Sequence, residues 1–118
     1  MTADRDLEGL LPLSNLSFQV LLALGSGPSH GYAIIRDIEE RTDGRVSVRS
    51  GTLYTMIQRL QEDGLLENAA PPRAPGLDGR RKYYRITPLG RRAARAEAGR
   101  LAELLDVARA RKLAPERP

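Results

Sequence analysis

Residues 50–86 read SGTLYTMIQRLQEDGLLENAAPPRAPGLDGRRKYYRI, and the change of period within this stretch decides the fold. Ser50 is a helix cap, and the helix runs from Gly51 to about Asp63, where Gly64 stops it. At about 100° per residue, Leu53, Met56, Ile57 and Leu60 fall within an arc of about 100° and make a core face. Thr55, Gln58 and Glu62 lie opposite, with Tyr54 and Arg59 on the flanks. Leu65–Asn68 then reads as a strand. Residues 69–81 hold three prolines and two glycines and cannot keep regular structure. Lys82–Ile86 is a second strand, with Tyr84 and Ile86 toward the core and Tyr83 and Arg85 on the other side. A half-polar helix is therefore followed directly by a hairpin whose tip carries Arg73, Arg80 and Arg81.

Upstream, two more helices precede this unit. The first follows Ser14 as cap and runs from Asn15 to Leu24; it is apolar almost all round, as a helix buried between neighbours must be. Gly25 suits the left-handed position past its end. The second starts at His30 with Ser29 as cap and ends near Arg41, with a core stripe of Gly31, Ile34, Ile35 and Ile38. His30 reads as a capping or packing residue, and Gly31 as a point of close helix approach. Val46–Val48 alternates and is expected to form a short strand. Residues 1–13 lack periodicity and read as a flexible segment.

Downstream, Thr87-Pro88 is a helix start, with Thr as cap and Pro at the first helical position. The helix extends to about Leu113 and stops before Pro115, leaving 114–118 as a tail. It is longer than a small core needs, and its second half carries a narrow seam of Leu101, Leu104, Leu105 and Ala108. That seam predicts a homodimer interface.

The fold class implied is mostly α with a small β-hairpin: a winged helix-turn-helix over 14–87 and a long C-terminal dimerisation helix over 88–113. Such a body suits double-stranded DNA, because the major groove admits one helix with its polar side toward the base edges. Tyr54, Thr55, Gln58 and Arg59 are the recognition-helix candidates, with Ser50, Gly51 and Thr52 near phosphate at its N-terminus. Arg73, Arg80, Arg81 and Lys82 are the wing candidates. Charge agrees in sign: residues 1–70 hold ten acidic side chains against six arginines, whereas residues 71–118 hold thirteen Lys and Arg against five acidic groups. A basic half attracts a polyanion.

Other chemistries lack parts. Cysteine is absent and histidine occurs once, so thiolate nucleophiles, disulfides and a four-ligand zinc site are not expected. There is no glycine-rich phosphate loop after a strand, no supported Ser/His/acid arrangement, and no paired carboxylates in an apolar setting, which argues against an enzyme or a bound cofactor. The N-terminus is acidic and no apolar run approaches the roughly 18 residues of a membrane span, so a cytoplasmic location is expected.

The segments LSFQVLLALGSGPSHGYAI, SGTLYTMIQRLQEDGLL and GRRKYYRITPLG, in this order across residues 14–90, resemble the PadR family of bacterial transcriptional regulators. The resemblance implies a dimeric winged-helix repressor, associated with the nucleoid when DNA-bound, whose last helix supplies most of the dimer interface. It also implies release by a small-molecule effector, aromatic or cationic in many members. The single C-terminal helix resembles that of the smaller subgroup. The loop APPRAPGLDGRR is longer and richer in proline than the family's usual wing, and the tryptophans that line effector pockets in some members are missing here. Two alternatives compete: a winged-helix module that docks a protein through the same helix, and a DNA-packaging protein without sequence preference.

Overall fold

A computed structural model describes residues 3–72 and 81–115. Five helices, α1 (Ala3–Leu10), α2 (Asn15–Ala23), α3 (Gly31–Arg41), α4 (Ser50–Glu62) and α5 (Pro88–Ala110), surround a sheet of β1 (Ser29–His30), β2 (Leu66–Ala69) and β3 (Tyr83–Ile86). The strands lie antiparallel in the order β1-β3-β2, with Ser29 opposite Tyr84 and Leu66 opposite Ile86. Helix-turn-helix, hairpin and long terminal helix are all present as the residue pattern requires.

The core forms where the apolar stripes of the helices meet. Val20 of α2 and Leu24 just past its end, Ile34 and Ile38 of α3, and Leu53 of α4 are wholly buried, with Leu60, Leu65 and Ala93 beside them. Each large aliphatic side chain buried in this way contributes about 1.5–3 kcal/mol. Local signals set the helix ends. Ser14 accepts the Ser17 N–H at the start of α2, and Thr87 accepts the Gly90 N–H at the start of α5. Gly64, at φ +79°, ends α4, and the Leu65 N–H reaches back to the Leu60 carbonyl at 2.9 Å, the hydrogen bond of a left-handed helix stop.

Five local expectations change. Residues 3–10 form α1, whose Leu7 and Leu10 pack against the core, where no regular element was expected. Ser29 is not the cap of α3: it pairs in β1, and His30 is the cap, its Nδ1 accepting the Ala33 N–H at 3.2 Å. Val46–Val48 forms no strand, and the third strand of the sheet is β1 instead. Helix α4 begins one residue early, so Arg49 is its cap and Ser50 lies inside its first turn. Gly25 does not take up positive φ; in that turn Gly27 does.

Helix α5 divides into two parts. Gly90, Ala93 and Glu97 are buried along its first half. The N-terminal segment is tied to it, because Leu13 donates its N–H to Glu97 Oε1 at 3.0 Å while Arg100 donates to both carboxylate oxygens. The Arg100 hydrogen bonds, reinforced by the one from Leu13, hold the Glu97 carboxyl below the usual carboxylate range against the opposing effect of burial. Beyond Arg100, residues 101–107 are exposed and Ala108 is half-buried.

Candidate nucleic-acid interface

Helix α4 is anchored by Leu53, Ile57 and Leu60, and this packing turns its opposite side to solvent. Ser50, Gly51, Thr52, Thr55, Gln58 and Arg59 are all exposed. Gly51, Thr52, Thr55, Gln58 and Arg59, with Met56 and Glu62, line one shallow groove of about 800 Å³. The first turn has no side-chain cap, because Arg49 makes no hydrogen bond to it. Its leading N–H groups are therefore open to an anion, in the direction that the helix dipole favours.

Tyr54 stands apart from that groove. It is half-exposed, and its ring leans over Gly31 at the start of α3, with Tyr84 close by. Burial, then the neighbouring Tyr54 phenol, pushes the Tyr84 hydroxyl pKa upward, so Tyr84 remains a neutral hydrogen-bonding group.

The wing base carries Arg81 and Lys82, both exposed. Arg85, on the adjoining strand, is paired with Glu67 across the sheet at 2.6 Å and adds little net charge to this surface. Arg73 and Arg80 lie outside the described residues. Tyr83 was expected on the outer side of its strand and is instead only 6% exposed. Strand β3 is central in the sheet, and the His30 ring covers its second face, edge-on to Tyr83 with centroids 5.3 Å apart.

A group of residues that sequence reasoning did not assign to the site meets Arg81. Its Nη1 lies 2.9 Å from His30 Nε2, and its guanidinium stands over the Tyr32 ring at 6.0 Å, as does that of Arg36 at 5.8 Å. Tyr32 and Arg36 share a helix face at i, i+4, and that spacing was the visible signal. What it faced was not visible, because Arg81 is 51 residues from His30.

On α5, Leu101, Leu104 and Leu105 are 41%, 55% and 40% exposed, and Val107 is 48% exposed beside the half-buried Ala108. No helix of the described residues is long and apolar enough to cross a membrane, and no group of three or more His, Asp or Glu among them could hold a metal ion.

The chain is 39% identical over 62 residues to an uncharacterised protein of Lysinibacillus sphaericus, a match covering 52% of this chain and 55% of that one. It spans about half or less of the length of the curated relatives that it matches. Among solved structures, a transcriptional regulator from Clostridium thermocellum superposes with a TM-score of 0.67 at 27% identity, covering 92% of this chain and 95% of that one. Bacillus subtilis PadR, solved in complex with operator DNA, shares the fold with a TM-score of 0.58 at 20% identity, over 70% of this chain and 46% of that one. Residues 20–96 match the family described as transcriptional regulator PadR-like, and the chain belongs to the PadR-like family of transcriptional regulators.

Proposed function

We propose that this protein binds a pseudo-palindromic operator in double-stranded DNA as a homodimer and represses transcription from it. The observation that carries this reading is the exposed polar face of α4, with Gln58 and Arg59 on it, on the same chain as the basic wing base of Arg81 and Lys82. Gln58 is suited to read adenine, since an amide can donate to N7 and accept from N6 in one plane. Ser50, Gly51 and Thr52 present the uncapped helix N-terminus to a phosphate, while Thr55 and Arg59 flank the base reader. Arg81 and Lys82 hold the wing against the backbone, with Arg73 and Arg80 on the same loop. The operator complex of the Bacillus subtilis relative, which has the same fold, supports DNA as the partner.

The exposed stripe of Leu101, Leu104, Leu105 and Ala108 supports a two-fold pairing through α5. It would set two α4 helices about 34 Å apart in successive major grooves. A small-molecule effector bound near that interface would release the operator by favouring a mismatched separation. Finding that an effector weakens binding with no change in α4 separation would remove this mechanism. The protein acts in the bacterial cytoplasm, on the nucleoid when bound.

The test is fluorescence anisotropy of the protein on its own upstream region, with unrelated DNA as competitor, at two salt concentrations. Specific, salt-sensitive binding that Gln58→Ala weakens selectively supports the reading. Equal affinity for unrelated DNA turns it into a packaging role, and absence of binding at low salt overturns it.

A further inference from the structure

Cysteine is absent from this chain, so its two methionines, Met1 and Met56, are the side chains on which a mild oxidant acts. Met56 belongs to α4 and lines two openings. One is the groove of about 800 Å³ that it shares with Thr52, Thr55 and Arg59. The other is a cleft of about 320 Å³ beside the N-terminal segment, where Ser14, Ser17 and Arg59 join it. The side chain is half-buried and packs against the core.

A directed chain of hydrogen bonds ends on the Met56 sulfur. Ser14 Oγ accepts the Ser17 N–H at 3.1 Å, and Ser17 Oγ stands 2.8 Å from Ser14 Oγ and 3.1 Å from Met56 Sδ. A thioether has no proton to give, so the single Ser17 hydroxyl proton goes to sulfur and Ser14 donates to Ser17. Ser17 is only 8% exposed. A buried hydroxyl is thus spent on a weak acceptor, and a stronger acceptor at the same place would be stabilised by it. Core packing and the Ser17 contact hold the sulfur in position, and its second lone pair is not engaged by that bond.

We propose that Met56 is an oxidant-sensing site, converted to the sulfoxide by hydrogen peroxide, and that the conversion weakens DNA binding. This rests on the proposed function and adds a means of regulating it. A sulfur lone pair attacks one peroxide oxygen, and an S–O bond forms as the O–O bond breaks. The departing hydroxide takes the proton from the transferred oxygen and leaves as water, so sulfur loses two electrons and peroxide gains them. The product puts a strongly polar oxygen where an apolar side chain closed the edge of the core. Ser17 can donate to that oxygen from the buried side, and Arg59, which lines both openings, from the exposed side. A guanidinium drawn to the sulfoxide is withdrawn from DNA, and α4 loses apolar anchorage on the face opposite Gln58. Methionine sulfoxide reductases reverse the change, so the site can reset.

The protein is treated with graded hydrogen peroxide, peptide mass spectrometry locates the added oxygen, and anisotropy follows binding to the upstream DNA. The expected result is one oxygen on Met56 and an affinity about tenfold lower, the worth of one lost groove contact, restored by methionine sulfoxide reductase with a thiol reductant. Met56→Leu, a swap close in volume, is expected to bind equally well before and after peroxide, whatever its starting affinity. Met56 fully oxidised with affinity unchanged overturns the sensor and leaves the operator reading intact. So does oxygen found on Met1 alone, or the same loss of affinity in Met56→Leu. Untreated protein that binds no DNA overturns the operator reading, and the sensor with it.

Discussion

The phenol of Tyr54 occupies the space that a side chain on Gly31 would need. A β-carbon built on Gly31 would lie 2.5 Å from the Tyr54 hydroxyl oxygen and 2.9 Å from its Cζ. The bare backbone at the start of α3 thus sets where the α4 ring lies. Gly31→Ala is expected to displace that ring at a cost of about 1–3 kcal/mol. In a Tyr54→Ala background the same substitution should cost much less. Chemical denaturation of the four proteins in this cycle measures the coupling, and additive penalties would show that the ring moves aside freely.

Two glycines of α5 should respond in opposite directions. At Gly90 an added methyl would run into the Leu65 carbonyl and the Ile86 side chain, and a backbone carbonyl cannot be repacked. Gly90→Ala is expected to cost about 3 kcal/mol, lowering the melting temperature. Gly99 has nothing within 4 Å of such a methyl, so Gly99→Ala should stabilise the helix by about 0.5–1 kcal/mol. Equal effects at the two sites would contradict the packing of α5 against Leu65 and β3.

Acid should loosen the N-terminal segment first. The folded-state pKa of Glu97 is depressed, chiefly by Arg100. The stability this contributes is present above the unfolded carboxylate value near 4.5 and is lost as pH falls through the lower folded value. Glu97→Gln should flatten that part of the stability profile, on the acid side of the ordinary carboxylate value. Hydrogen exchange at the Leu13 amide, which Glu97 accepts, should quicken in the variant at neutral pH.

Placing a charge on the exposed stripe of α5 should separate the subunits of the proposed homodimer. Leu104→Glu is expected to shift sedimentation to the monomer and to weaken operator binding on the order of 100-fold, because the second half-site no longer binds at high effective concentration. A dimer that persists in this variant would move the interface elsewhere.

Base reading and backbone contact can be told apart at α4 and the wing. Gln58→Ala should remove about 1–3 kcal/mol of discrimination at one base pair and leave other positions alone. Lys82→Ala should weaken all sequences alike and lower the slope of log affinity against log salt by about one. Both are read from anisotropy titrations across a panel of single-base operator variants.

Much of this protein is legible along the chain because helices and caps are decided within a few residues. The spacing of Leu53, Ile57 and Leu60 determines which side of α4 is buried, and hence that Gln58 and Arg59 face outward. Ser14, Gly64 and Thr87 act through hydrogen bonds or backbone angles at the helix ends themselves. The exposed polar face of α4 and the leucine stripe of α5 were visible for this reason.

What remained hidden depends on partners distant in sequence. Two residues are too few to carry a period, so β1 exists only because β3 offers it hydrogen bonds. Helix α1 is short and acidic, and its register is set by docking Leu7 and Leu10 on the core rather than by a pattern of its own. Alternation along β3 predicted an exposed Tyr83, but a central strand is covered on both faces, here by the His30 ring. The meeting of His30 with Arg81 follows the same logic, since no local rule relates positions 51 residues apart. Local periodicity determined the elements and their outward faces; tertiary packing alone decided which side chains from separate elements would stand against each other.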